Sequence, residues 1–141
     1  YSIPVGIFIA LVLFINCFQD YNADKAANKN SWVVKLAGPG EKANYRKPFS
    51  VWKSLMVVSF LLIVAASVYA QNYFTFIALI PLLIFNFASK KGSDWLVEWE
   101  KEDANLQQLP YELLIVNVST IGIHFLTGVL LTVGVLLSVW I

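Results

Sequence analysis

The sequence predicts an all-α, polytopic membrane helix bundle with four spans. Apolar residues make up 58% of the chain and charged ones 13%, and the mean hydropathy is +0.66. The apolar residues also gather into long runs separated by two polar stretches. A water-soluble domain of 141 residues has no use for that much apolar surface, because average domains carry roughly 45–50% apolar and about 25% charged residues. Ten basic residues nearly cancel nine acidic ones, so nothing in the charge suggests nucleic acid as a partner. The single cysteine, Cys17, permits no internal disulfide and reads as a packing residue. Tyr1 leads directly into an apolar segment with no signal-peptide pattern. The chain therefore reads as a piece of something longer.

The first span is predicted over residues 2–19. It is uncharged, with Pro4 where a first helical turn tolerates proline. The seventeen residues 2–18 give ~26 Å at 1.5 Å each, nearly the ~30 Å of a hydrocarbon core. Residues 20–53 are polar and rich in Lys and Arg, which in a short loop predicts a cytoplasmic position. Gly38-Pro39-Gly40 marks a sharp turn within that loop.

Residues 54–89 are too long for one crossing, at ~54 Å if helical. Gln71-Asn72 divides them between two tyrosines, residues suited to the membrane–water boundary. Spans over residues 54–70 and 73–88 follow, with Pro81 and Asn86 interrupting the second. Residues 89–111 form a second cytoplasmic loop. In it, Ser93 or Asp94 is expected to cap an amphipathic helix whose Trp95, Leu96, Trp99 and Leu106 lie in the interface plane. The acidic run of Glu98, Glu100, Glu102 and Asp103 reads as its solvated face. The last span covers residues 112–141, with small-residue pairs Gly128/Thr132 and Gly134/Ser138 suited to close packing. The only histidine, His124, falls near mid-span, where an ionisable residue is either functional or a neutral partner of another helix.

The chemistry concentrates in residues 16–29, NCFQDYNADKAANK. If the first helix continues, Asn16, Asp20 and Asp24 share one face. Lys25 and Lys29 then form a second i,i+4 pair turned about 100° away. Two carboxylates one turn apart repel, and a cation between them relieves that. Mg²⁺ fits, since it takes one or two carboxylates plus substrate phosphates. The lysines suit the remaining anionic oxygens. A solvated juxtamembrane helix with mutually offsetting charges is the plainer alternative.

Residues 19–38, QDYNADKAANKNSWVVKLAG, resemble the second aspartate motif of the UbiA superfamily of intramembrane prenyltransferases. Asp20, Asp24, Lys29, Ser31, Val33-Val34, Leu36 and Gly38 follow that motif's order, while Ala37 and Trp32 depart from it. The similarity is greatest to 1,4-dihydroxy-2-naphthoate prenyltransferases. It implies a nine-span bundle in which these are the sixth to ninth spans. It also implies Mg²⁺ on Asp20 and Asp24, with Lys25, Lys29 and Asn16 serving the diphosphate. The reaction it implies is transfer of a polyprenyl group from a polyprenyl diphosphate to an aromatic acceptor in menaquinone biosynthesis, at the cytoplasmic face of a bacterial membrane. The superfamily's other aspartate cluster lies outside these residues. A non-catalytic membrane subunit or transporter fragment is the competing expectation. The DG-led aspartate pattern of CDP-alcohol phosphatidyltransferases does not occur.

Overall fold

A computed structural model describes residues 1–38, 43–101 and 109–140, with only the backbone of 109 and 110. The described residues are all-α and contain no strand. Four helical segments are long and apolar enough to cross a membrane. Helix α1 (Ser2–Gln19) leads into the short helices α2 (Tyr21–Ala26) and α3 (Trp32–Ala37), and α4 (Arg46–Tyr69) follows. A 3-10 segment (Tyr73–Leu79), α5 (Leu82–Glu100), a turn α6 (Leu109–Glu112) and α7 (Leu114–Trp140) complete the order.

Each long helix buries one stripe and leaves its other apolar face outward. On α1 the stripe is Phe8, Leu11, Ile15 and Phe18; on α4 it is Phe49, Trp52, Met56, Phe60 and Ile63. Leu13, Leu61, Leu83 and Phe125 lie on the exposed outer surface. An apolar core under an apolar exterior requires a lipid solvent, because in water so large a patch would aggregate. Helix α1 packs on α4 and α7, and α7 packs in turn on α5 and the 3-10 segment.

Three helix extents differ from the sequence expectation. Helix α4 starts at Arg46, well before the expected residue 54. Pro48 sits in its first turn, where a missing N–H costs nothing, and Phe49 and Trp52 already bury themselves. Arg46 and Lys53 do not stop it, since Arg46 forks onto Glu100 and Lys53 lies over the Phe49 ring at 5.2 Å. The expected span over residues 73–88 is instead a 3-10 segment, a bend at Ile80-Pro81 and then α5. Helix α5 runs to Glu100, so residues 89–100 are helix rather than loop and no new helix begins at Ser93 or Asp94. The Ser93 hydroxyl donates back to the Ser89 carbonyl at 2.8 Å. Trp95 and Trp99 are buried rather than lying in an interface plane, because Phe85, Ala88, Gly92, Trp95 and Trp99 form one continuous stripe. Leu106, Glu102 and Asp103, and the Pro39-Gly40 part of the expected turn, lie outside the described residues. Helix α7 covers Leu114–Trp140 of the expected residues 112–141, with α6 just before it.

The buried tryptophans hold the loop that carries the aspartates. Tyr45 stacks on Phe18 (centroids 5.3 Å apart) and meets Trp99 edge-on at 4.7 Å, while Trp95 and Trp99 stack at 5.7 Å. Trp99 Nε1 donates to the Ala43 carbonyl at 2.8 Å, and the Tyr45 hydroxyl donates to the Phe18 carbonyl at 3.3 Å. The Tyr21 hydroxyl donates to the Gly38 carbonyl at 3.1 Å. Trp99, Tyr45 and Tyr21 thus each bury apolar surface and satisfy a backbone carbonyl at once.

Candidate functional site

The helical ladder continues from α1 into α2. Asp20 N–H donates to the Asn16 carbonyl at 3.3 Å and Asp24 N–H to the Asp20 carbonyl at 2.7 Å. A break at Asp20 nevertheless separates the two helices, and the two carboxylates end in different surroundings. Asp20 is exposed, whereas Asp24 is 5% exposed. The expected i,i+4 pair of Lys25 and Lys29 does not form, because α2 ends at Ala26 and Asn28 turns left-handed at φ 53°. Asn tolerates that conformation better than most side chains. The turn brings Lys29 N–H onto the Asp24 carbonyl at 2.8 Å and Lys29 Nζ onto Asp24 Oδ1 at 3.0 Å.

The Lys29 hydrogen bond holds the Asp24 carboxyl below its usual pKa against the opposing effect of burial, and the Ser31 hydroxyl adds to the lowering. The same bond raises the Lys29 ammonium above its usual value. Asp24 Oδ2 is buried and has no hydrogen-bond partner among the described residues. Asp20 makes no side-chain hydrogen bond or ion pair among them. Asn16 Oδ1 accepts from Asn117 Nδ2 at 2.9 Å, so that oxygen is committed to α7 inside the bundle.

Beside this pair lies a pocket of about 410 Å³ lined by Lys25, Lys29, Lys35, Asn28 and Asn30. No acidic residue lines it among the described residues. Lys25 also lies over the Tyr21 ring, 5.6 Å from its centroid. Three lysines and two asparagines thus border one concavity, a set of donors whose chemistry suits anionic oxygens. Lys35, Asn28 and Asn30 were not among the residues singled out from the sequence. Their only sequence signal was the basic excess of the loop and its repeated asparagines.

Helix α3 separates this pocket from a second cavity of a different character. Ser31 caps α3, its hydroxyl accepting from Val34 N–H at 3.5 Å, and Val33 and Ala37 are buried beneath it. Val34 and Lys35 face the lysine pocket, while Trp32 and Leu36 face an apolar groove of about 730 Å³. Gly6, Ala10 and Phe14 of α1 and Leu55 of α4 complete the groove. Trp32 stands 72% exposed at its mouth. His124 lies far along α7 from the loop, beside Gly128 and Thr132, with its Nδ1 buried and unpartnered among the described residues.

The carboxylates here would ligate Mg²⁺ only in part, leaving its other positions to water and phosphate. Among the described residues no three His, Cys, Asp or Glu side chains gather into a metal-holding group. Asp24 Oδ2 is an orphaned carboxylate oxygen, and the Lys29 ammonium already fills the place of a counter-cation on Oδ1. Mg²⁺ keeps several waters and takes only one or two carboxylates plus phosphates. Asp24 and Asp20 are the carboxylates that would hold it.

No family model matches the chain, and no curated protein or solved structure matches it.

Proposed function

We propose that this chain carries the headgroup site of a Mg²⁺-dependent intramembrane prenyltransferase. The observation that supports this reading is the placement of α3, with a lysine pocket on one side and an apolar groove on the other. An amphiphile with a phosphate head and a hydrocarbon chain needs both environments at a membrane boundary. The donor is a polyprenyl diphosphate and the acceptor an aromatic ring, 1,4-dihydroxy-2-naphthoate by the resemblance of residues 19–38. The aspartate loop faces the cytoplasm, in line with its basic excess.

In the reaction the allylic C–O bond breaks and the diphosphate leaves with the electron pair. A ring carbon of the acceptor forms the new C–C bond, and its proton passes to water. Mg²⁺, when bound, neutralises charge on the departing diphosphate. Asp20 and Asp24 would hold it. Lys25 and Lys29 would stabilise the phosphate oxygens where charge develops, and preplaced charge of this kind is effective because it needs no reorganisation. The apolar helix faces keep water from the allylic cation.

The test is binding of radiolabelled farnesyl diphosphate to the protein in nanodiscs with and without Mg²⁺. Saturable, Mg²⁺-strengthened binding is expected. The internal pairing of Asp24 with Lys29 and of Asn16 with Asn117 also suits a non-catalytic membrane subunit. That reading requires no binding under either condition.

A further inference from the structure

The three lysines of the pocket are not equivalent. Lys29 is already paired with Asp24 at 3.0 Å, and Lys25 lies over the Tyr21 ring. Lys35 comes from a different element, and its direction is fixed by packing. Helix α3 reads Trp-Val-Val-Lys-Leu-Ala, with Lys35 its only charged residue. Val33 is fully buried and Ala37 is 6% exposed, while Trp32 and Leu36 face the apolar groove. At about 100° per residue, the remaining direction for Lys35 is the wall of the anion pocket.

We propose that Lys35 is an anion-binding residue of this pocket, contacting a phosphate of a phosphate or diphosphate headgroup from α3. The inference rests on the anion-site reading above and extends it to a residue outside the aspartate-to-Lys29 segment. Its role is to bind and hold the headgroup. Lys29 is shared with Asp24, so Lys35 carries charge to the ligand that no carboxylate among the described lining residues offsets. A point charge on a flexible stem suits such a contact, since it needs no bidentate geometry.

The experiment is calorimetric titration of inorganic pyrophosphate, without metal, into the full-length protein in phosphatidylcholine nanodiscs. Lys35→Gln should weaken binding by roughly five- to tenfold, which is about 1–1.4 kcal/mol by the tenfold-per-1.4 relation. Lys35→Arg should stay within about twofold, since the charge is kept. Lys91→Gln, an exposed lysine of α5 outside the pocket, should bind as wild type. Lys35 is exposed, and matched melting curves will confirm that each variant folds. Adding phosphatidylglycerol to the nanodiscs separates the ligand sources. Competition by it supports a membrane-lipid headgroup held by Lys35, and undisturbed binding supports a diphosphate substrate held by Lys35. Wild-type affinity in Lys35→Gln alongside lost affinity in Lys29→Gln overturns the Lys35 inference alone. No pyrophosphate binding by wild type overturns the anion-site reading with it.

Discussion

Gly134→Ala tests the packing on which the bundle depends. A Cβ at Gly134 would lie 2.7 Å from Thr75 Cα and 2.9 Å from both Thr75 N and Phe74 O. All three atoms are backbone of the 3-10 segment, so no rotamer change relieves the contact. Reaching 3.4 Å, where ordinary contact begins, requires the segment to withdraw by about 0.7 Å. That movement disturbs a hydrogen-bonded corner in which Thr75 Oγ1 donates to the Asn72 carbonyl at 2.6 Å and Asn72 Nδ2 donates to Ser138 Oγ at 2.9 Å. Overpacking of this kind costs typically ~1–3 kcal/mol. Gly128 is the internal control, because a Cβ there meets nothing within 4 Å. Gly128→Ala should gain up to roughly 0.8–1 kcal/mol from helix propensity. Thermal unfolding in detergent, followed by circular dichroism, should therefore move the two variants in opposite directions. Equal or greater stability of Gly134→Ala than of wild type would refute the close α7 approach.

Other perturbations separate the remaining parts of the account. Asn16→Leu should destabilise by about 0.6–1.7 kcal/mol, the range for interhelical hydrogen bonds in membranes, by stranding the Asn117 amide. Adding Asn117→Leu should recover most of the loss, as a double-mutant cycle will show. The Asp24–Lys29 pair sets a pH window. Asp24 lies below its ordinary 3.8, so its contribution is complete above that value and lost as pH falls through the lowered one. Lys29 lies above its ordinary 10.5, so its contribution is complete below that value and lost as pH rises through the raised one. The stability gap between wild type and Asp24→Asn should thus be flat from about pH 5 to 9 and should close in strong acid. A slope near neutrality would exclude the pair as its source. In a Cys17→Ser background, Lys35→Cys and Gln71→Cys should react with an impermeant maleimide from opposite faces, since α4 separates them. Labelling of both from one face would break the four-span arrangement.

The spans were legible because hydropathy alone marks a segment that must live in lipid. The break near Gln71 was legible too, where two polar residues stand between tyrosines and Gln71 adopts φ 52°. Charge misled the reading at helix ends. Arg46, Lys47 and Lys53 looked like loop, yet α4 passes through them with Phe49 and Trp52 turned inward. The acidic residues after Ala88 hid a stripe that continues through Gly92, where the Phe49 ring occupies the space of a Cβ. At the site, spacing brought out Asp20, Asp24 and Lys29. It could not tell that Asn28 would reverse the chain and fold Lys29 back onto Asp24. Lys35 was hidden for a similar reason, because its direction depends on how α3 packs rather than on its neighbours in sequence.

The most direct test of the proposed chemistry is Asp20→Asn, assayed for Mg²⁺-dependent prenyl transfer in the full-length protein. Asp20 is exposed and makes no side-chain hydrogen bond or ion pair among the described residues, so the substitution leaves the packing intact. A metal role predicts a loss on the order of a hundredfold or more, the scale of removing one preplaced electrostatic group, with an unchanged melting curve. Lys91→Gln should retain wild-type turnover. Near-normal transfer by Asp20→Asn would contradict the account and leave the aspartate loop as a structural element of the bundle.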